Sequence, residues 1–151
     1  MRFRFASSAV LFIALAAPLS AQNPFKAGTN YIGPSLGLSP YGAGGALVGN
    51  FEHAINDKWG WGVSGSYWSY SGGAYTIGGT AAYHFQTSNA QLDPFVAGFI
   101  GVFGCSGCHR AGGLFPGVNG GVRYWIKDNL ALAGRVGWGA GILSVGVEFK
   151  M

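Results

Sequence analysis

Alternation of side-chain character with a period of two constrains this chain more than any other feature. From Tyr75 to Phe85 the odd positions read Tyr75, Ile77, Gly79, Ala81, Tyr83 and Phe85, and the even ones Thr76, Gly78, Thr80, Ala82 and His84. Successive side chains of a strand point to opposite faces, so this run predicts a strand with one apolar, aromatic face and one small, polar face. Trp59, Trp61, Val63, Gly65 and Tyr67 repeat the pattern against Gly60, Gly62, Ser64 and Ser66. Near the end, Leu143, Val145, Val147 and Phe149 do the same against Ser144, Gly146, Glu148 and Lys150.

Extended along the chain, the pattern predicts strands over 29–38, 43–55, 59–69, 74–85, 93–103, 115–126, 130–138 and 141–150. Most have the ~9 to 11 residues that a tilted strand needs to cross a membrane. Two of them break the rule locally. Pro34 removes a ladder donor from the first, and Val96 and Ile100 interrupt the alternation of Phe95, Phe99 and Phe103 in the fifth. Connections alternate in kind: Asn56-Asp57-Lys58, Gln86 to Gln91 and Lys127-Asp128-Asn129 at one end, and 39–42, 70–73, 104–114 and a reversal at Gly139 at the other. Nothing marks a linker or a second domain.

Residues 1–21 carry a different signal. Arg2 and Arg4 precede an apolar run, Ala9 to Ala17, that is too short to span a bilayer, and Pro18-Leu19-Ser20-Ala21 ends on a small residue. This is the pattern of a cleaved export signal, and the mature domain is expected over 22–151. Beyond Ala21 the chain carries seven Lys and Arg against five Asp and Glu. Such a scattered, weak positive balance offers no stripe for nucleic acid. Twelve charges also cannot coat a soluble barrel, whose surface needs about 25 to 35% charged residues. Asp57, Lys58, Asp93, Lys127 and Asp128 fall in or beside turns, which leaves the strand bodies nearly bare. An exported chain with uncharged apolar strand faces requires a solvent other than water. A closed barrel in lipid meets that requirement, because closure satisfies every backbone hydrogen bond without an edge. The fold class expected is therefore all-β: a closed, eight-stranded, antiparallel up-and-down transmembrane barrel.

Several segments then carry a family likeness. Asp93-Pro94-Phe95-Val96-Ala97-Gly98, Gly117-Val118-Asn119-Gly120-Gly121-Val122-Arg123-Tyr124, Lys127-Asp128-Asn129-Leu130-Ala131-Leu132 and Val145-Gly146-Val147-Glu148-Phe149 resemble the small eight-stranded bacterial outer-membrane barrels, the group of the outer-membrane protein A barrel, the X protein and the opacity-like proteins. The resemblance implies an outer-membrane location, lipid and the barrel-assembly machinery as partners, and architecture instead of catalysis. The chain departs from the family in placing Lys150-Met151 after the terminal aromatic Phe149.

With lipid outside, the register turns Glu52, Arg123, Arg135 and Glu148 inward together with Asn50, Ser64, Ser66, Thr76, Thr80, His84 and Asn119. An eight-stranded barrel is just wide enough for side chains to fill it, so an ion-pair network plugging the lumen is expected. Trp59, Trp61, Tyr83, Phe85 and Phe149 are expected to belt the outer face near the turns, with Tyr67, Tyr75 and Phe103 at the opposite interface. No nucleophile, base and acid are grouped in a motif, and no glycine run ends in Lys-Ser/Thr to cradle phosphate. The function expected is a non-enzymatic structural or surface-interaction barrel, with small-solute binding or transport as the alternative. Cys105-Ser106-Gly107-Cys108-His109 holds the chain's two cysteines. Its spacing fits a loop disulfide, a metal or redox site, or covalent attachment of c-type haem, with His109 as axial ligand. An oxidising compartment favours the disulfide. No cofactor is otherwise implied.

Overall fold

In the computed structural model, residues 24–40, 44–69, 73–106 and 112–151 are described. The expected export signal, 1–21, lies outside them, as do Cys108 and His109. The described residues form eight strands: β1 (Asn30–Leu38), β2 (Gly45–Ala54), β3 (Trp59–Trp68), β4 (Ala74–His84), β5 (Leu92–Cys105), β6 (Gly113–Lys127), β7 (Leu130–Trp138) and β8 (Leu143–Lys150). Each pairs antiparallel with its neighbours in chain order, and β1 pairs with β8, so the sheet closes into the up-and-down barrel that the alternation predicts. Closure leaves no unpaired edge.

Which face turns inward follows from side-chain bulk and polarity. On β3, Gly60, Ser64, Ser66 and Trp68 are buried, while Trp59, Trp61, Val63 and Tyr67 are exposed. On β8, Ser144 and Glu148 are buried and Leu143, Val145 and Phe149 are exposed. Pro34, whose missing N–H weakens a ladder, sits exposed in β1; the pairing with β2 runs through it, opposite Gly49, whereas the ladder to β8 skips Gly33 and Pro34 and resumes at Ser35 in the same register. The outer surface is thus apolar and the lumen polar at one end, the inverse of a soluble barrel.

β5 departs from expectation in two respects. Phe103 does not belong to an outer belt, and Asp93, which opens the strand beside a turn as expected, points into the lumen. Asp93, Phe95, Ala97 and Phe99 are buried, Phe103 packs against the buried cluster, and Val96, Ile100 and Val102 are exposed. Directly paired residues of neighbouring strands share a face, and β5 pairs Phe95 with His84 and Phe103 with Thr76, both inward residues of β4. On the other side, Phe95 and Phe99 pair with Gly121 and Gly117 of β6. These glycines leave the room that the two rings occupy. A Cβ on Gly121 would come within 2.9 Å of Phe95 Cε1. Tyr67, Tyr75, Trp59, Trp61, Phe85 and Phe149 are exposed on the outer face.

The lumen divides into two halves. At the loop end, Ala46, Val48, Trp68, Phe99, Phe115 and Ala140 form an apolar cluster, with Phe103 stacked on Trp68 at 6.0 Å between ring centroids. At the turn end lie the charged side chains, capped by Phe25, Tyr31 and Trp125. Between the halves is a cavity of about 40 Å³ lined by Asn50, Ser64, Thr80, Asn119, Arg135 and Ser144, among others.

Candidate functional site in the barrel lumen

Six strands supply the charged cluster: Glu52 from β2, His84 from β4, Asp93 from β5, Arg123 from β6, Arg135 from β7 and Glu148 from β8. The register brings them to one level, since Asp93 pairs with Arg123 and the strand ends of β2, β4 and β8 meet them from the sides. Burial is nearly complete, with Asp93 at 0%, Arg123 at 1% and Glu148 at 1% exposure.

Arg123 is the hub. Its Nη1 donates to Asp93 Oδ2 at 3.2 Å and its Nη2 donates to Glu52 Oε2. Its Nε faces Glu148 Oε2 as an ion pair off the line of a hydrogen bond. Three rings surround the same guanidinium: Tyr31 and Phe95 at 5.0 Å and Phe25 at 5.9 Å from its central carbon. Cation–π contact of this kind strengthens when the cation is out of water. Arg135 donates from Nη2 to Glu148 Oε1 and lies 5.2 Å from the Phe95 ring, while its Nη1 has no hydrogen-bond partner among the described residues.

His84 closes the network. Its Nδ1 lies 2.7 Å from Asp93 Oδ1 and its Nε2 lies 2.9 Å from Glu52 Oε1. Carboxylate oxygens accept, so both bonds are made together when both ring nitrogens carry protons. In that form the formal charges of three carboxylates, two guanidiniums and one imidazolium cancel. Such compensation is what a buried ionic cluster requires, because an unpaired charge out of water is very costly.

Glycine gives the cluster its seat. A Cβ on Gly60 would collide with the Glu52 carboxylate, and one on Gly33 would collide with Glu148 and the Val147 carbonyl. Outside the strands, Phe25 stacks on the His84 ring with 3.6 Å between centroids and 6° between planes, and stacks on Tyr31 at 5.2 Å. Main-chain N–H groups around it are tied down: Lys26 donates to Tyr31 Oη, Ala27 to Asp57 Oδ1 and Gly28 to the Ala54 carbonyl. The pre-strand segment therefore reaches across the mouth and covers the cluster.

The structure brings Glu52, Arg123, Arg135 and Glu148 together, and adds Asp93 and Phe25 to them. Asp93 shares parity with Phe95, Phe99 and Phe103, a signal that charge alone would have supplied had the fifth strand been phased on it. Phe25 lies ahead of the first strand, where no periodicity points inward. At the other end of the barrel, Cys105 closes β5, is disulfide-bonded and is buried against the apolar cluster. Among the described residues, no group of His, Cys, Asp and Glu is arranged to hold a metal ion.

The architecture is shared with solved membrane barrels. The N-terminal β-barrel domain of OprF from Pseudomonas aeruginosa superposes with a TM-score of 0.68 at 15% identity, over 83% of this chain and 98% of that one. A de novo designed transmembrane β-barrel gives 0.66 at 18% identity, over 83% and 98% of the two chains. Neisserial surface protein A gives 0.53 at 18% identity, over 82% and 95%. No protein-family profile and no curated protein sequence matches the chain. At these identities the likeness establishes the fold: a small, closed, eight-stranded barrel of outer-membrane type. A fold of this kind says little by itself about activity.

Proposed function

We propose that the chain is a non-enzymatic bacterial outer-membrane barrel with a structural or surface-interaction role, its lumen closed by its own side chains. The observation that carries this reading is the inverted polarity of the barrel wall. Leu36, Leu114 and Val145 stand 68%, 74% and 61% exposed on the outer face, while the Asp93, Arg123 and Glu148 charges are buried inside. Water would expose that apolar band at high free-energy cost; a hydrocarbon layer does not. On this reading 1–21 directs export, the assembly machinery inserts 22–151, the turns and the N-terminal segment face the periplasm, and the loop end faces the exterior.

Closure of the lumen is supported by the ionic cluster, the Phe25 cap and the apolar cluster, which occupy its two halves and leave between them only the cavity of about 40 Å³. In the same reading, Cys105 and Cys108 form a loop disulfide and His109 is not an axial ligand. The support is that Cys105 is disulfide-bonded, which withholds its sulfur from a thioether to haem. A mass lower by two hydrogens than the reduced chain is expected, without the increment of a covalent haem.

Detergent extraction of the envelope fraction followed by heat-modifiable migration tests the whole reading. The unheated barrel is expected to migrate differently from the boiled chain. Recovery of the mature protein in the aqueous periplasm overturns it. Planar-bilayer recording is expected to show no stable channels, and steady conductance would favour the transport alternative.

A further inference from the structure

At the turn end of the barrel, beside the capped mouth, three lysines from separate segments converge. Lys26 precedes β1, Lys127 ends β6 and Lys150 ends β8, and together they line a cavity of about 510 Å³ with Gln91, Trp125 and Asp128. Three ammoniums against one carboxylate leave the cavity with a formal charge of +2. Trp125 adds a neutral donor. Its side chain is 5% exposed, and its Nε1–H has no hydrogen-bond partner among the described residues. The Lys150 ammonium lies 5.9 Å from the Trp125 ring centroid, so cation and indole belong to one locus. A buried indole N–H usually finds a partner, and an unsatisfied one is a cost that an incoming acceptor removes.

The donor set is selective in kind. Ammonium groups and an indole N–H offer protons and accept none, which suits an oxyanion with several acceptor oxygens. The surroundings narrow the source. Ile126 lines the cavity at 49% exposure, and its outward neighbour Tyr124, 44% exposed, donates through its hydroxyl to Gln91 Oε1 at 3.3 Å. One wall of the basic cavity is therefore the edge of the apolar outer band, where headgroups and acyl chains meet.

We propose that this cavity is a phosphate-binding site that takes the headgroup of a glycerophospholipid, with Lys26, Lys127 and Lys150 holding the phosphate charge. The Trp125 Nε1–H donates to one phosphate oxygen, and the acyl chains run along Tyr124 and Ile126. The proposal rests on the membrane reading above for the source of the phosphate. The site anchors the turn end to the lipid leaflet that surrounds it.

The test uses the folded mature protein in a phosphate-free maltoside micelle, with the Trp125 indole N–H resonance assigned from a Trp125→Phe variant. Dihexanoyl phosphatidylglycerol and inorganic phosphate are titrated separately at constant ionic strength, with chloride as the reference anion. The resonance is expected to shift saturably with both phosphates and not with chloride, the short-chain lipid acting at the lower concentration. Replacing the lysines by Gln is expected to weaken lipid binding about fivefold per lysine removed. Heat-modifiable migration of each variant establishes that it is folded, and failure there for the parent chain would count against the membrane reading alone. A folded parent whose indole resonance does not move overturns the site. Equal affinities for the lipid and free phosphate overturn the headgroup assignment, and so does undiminished lipid binding by the folded K26Q/K127Q/K150Q variant.

Discussion

One narrow cylinder is filled in two different ways. In the turn-end half, Glu52, His84, Asp93, Arg123, Arg135 and Glu148 hold one another through directional, charge-compensated contacts. In the loop-end half, Trp68, Phe99, Phe103 and Phe115 meet through apolar contact and ring packing. The two halves should therefore fail differently. Loss of one member of the charged half leaves its former partners buried and uncompensated, whereas loss in the apolar half is graded by the volume removed.

The largest effect expected is from Arg123→Met. It keeps much of the side-chain bulk but leaves Glu52, Asp93 and Glu148 without their common cation, at a cost of about 3–5 kcal/mol in denaturant unfolding of the detergent-folded protein. Arg123→Met combined with Glu148→Gln keeps the formal charges balanced and should be less destabilised than Arg123→Met alone. If the two changes simply add, the cluster is not a coupled unit and the contrast between the halves is lost. In the apolar half, Trp68→Ala is expected to cost about 3 kcal/mol and Trp68→Phe less than about 1.5 kcal/mol. A Trp68→Phe variant as damaged as Trp68→Ala would show that shape, not volume, governs that half.

The contrast also accounts for what could be read without coordinates. Strand number, antiparallel order and the inward faces of β2, β3, β4, β7 and β8 follow from alternation, because small or polar residues mark one face cleanly. β5 resists that rule. Its inward residues are aromatic and its outward ones aliphatic, so polarity does not separate its faces, and a reader who assigns rings to an interfacial belt puts Phe103 on the wrong side. The deciding facts are pairings: glycines on β6 make room for Phe95 and Phe99, and pairing across strands is not written in local periodicity. The inward direction of Asp93 was hidden for a related reason, since a charge beside Pro94 at a strand start next to a turn carries no mark of which face it takes. Phe25 lies beyond any periodic segment, and only the closed mouth gives it a place.

Glycine supplies a sharper test of the charged half. Gly60→Ala would push a methyl into the Glu52 carboxylate and is expected to cost about 2 kcal/mol through overpacking beside buried charge. Gly49→Ala is the matched control on a neighbouring strand, since a Cβ there meets nothing within 4 Å. Unfolding midpoints of the two variants should therefore separate clearly. If they coincide, glycine in this barrel serves backbone curvature and not the seating of the ionic cluster.

The smallest effect concerns how the charged half is shut off from bulk water. The turn-end half is covered by Phe25 from the segment ahead of β1. Phe25→Leu keeps an apolar side chain in the mouth and loses the ring stacking on His84 and Tyr31, worth about 1 kcal/mol. That energy belongs to docking of the segment and not to the barrel, so the unfolding midpoint should barely move. The local readout is amide exchange at Lys26, Ala27 and Gly28, whose N–H groups bond to Tyr31 Oη, Asp57 Oδ1 and the Ala54 carbonyl. A loss of about 1 kcal/mol should speed exchange at all three about fivefold while strand amides keep their rates. Unchanged exchange would mean that the hydrogen bonds alone hold the segment, and that the ionic cluster is covered without help from the ring. Faster exchange spreading into β2 and β6 would mean instead that the cap and the cluster form one cooperative unit, which would erase the boundary between covering the charges and pairing them.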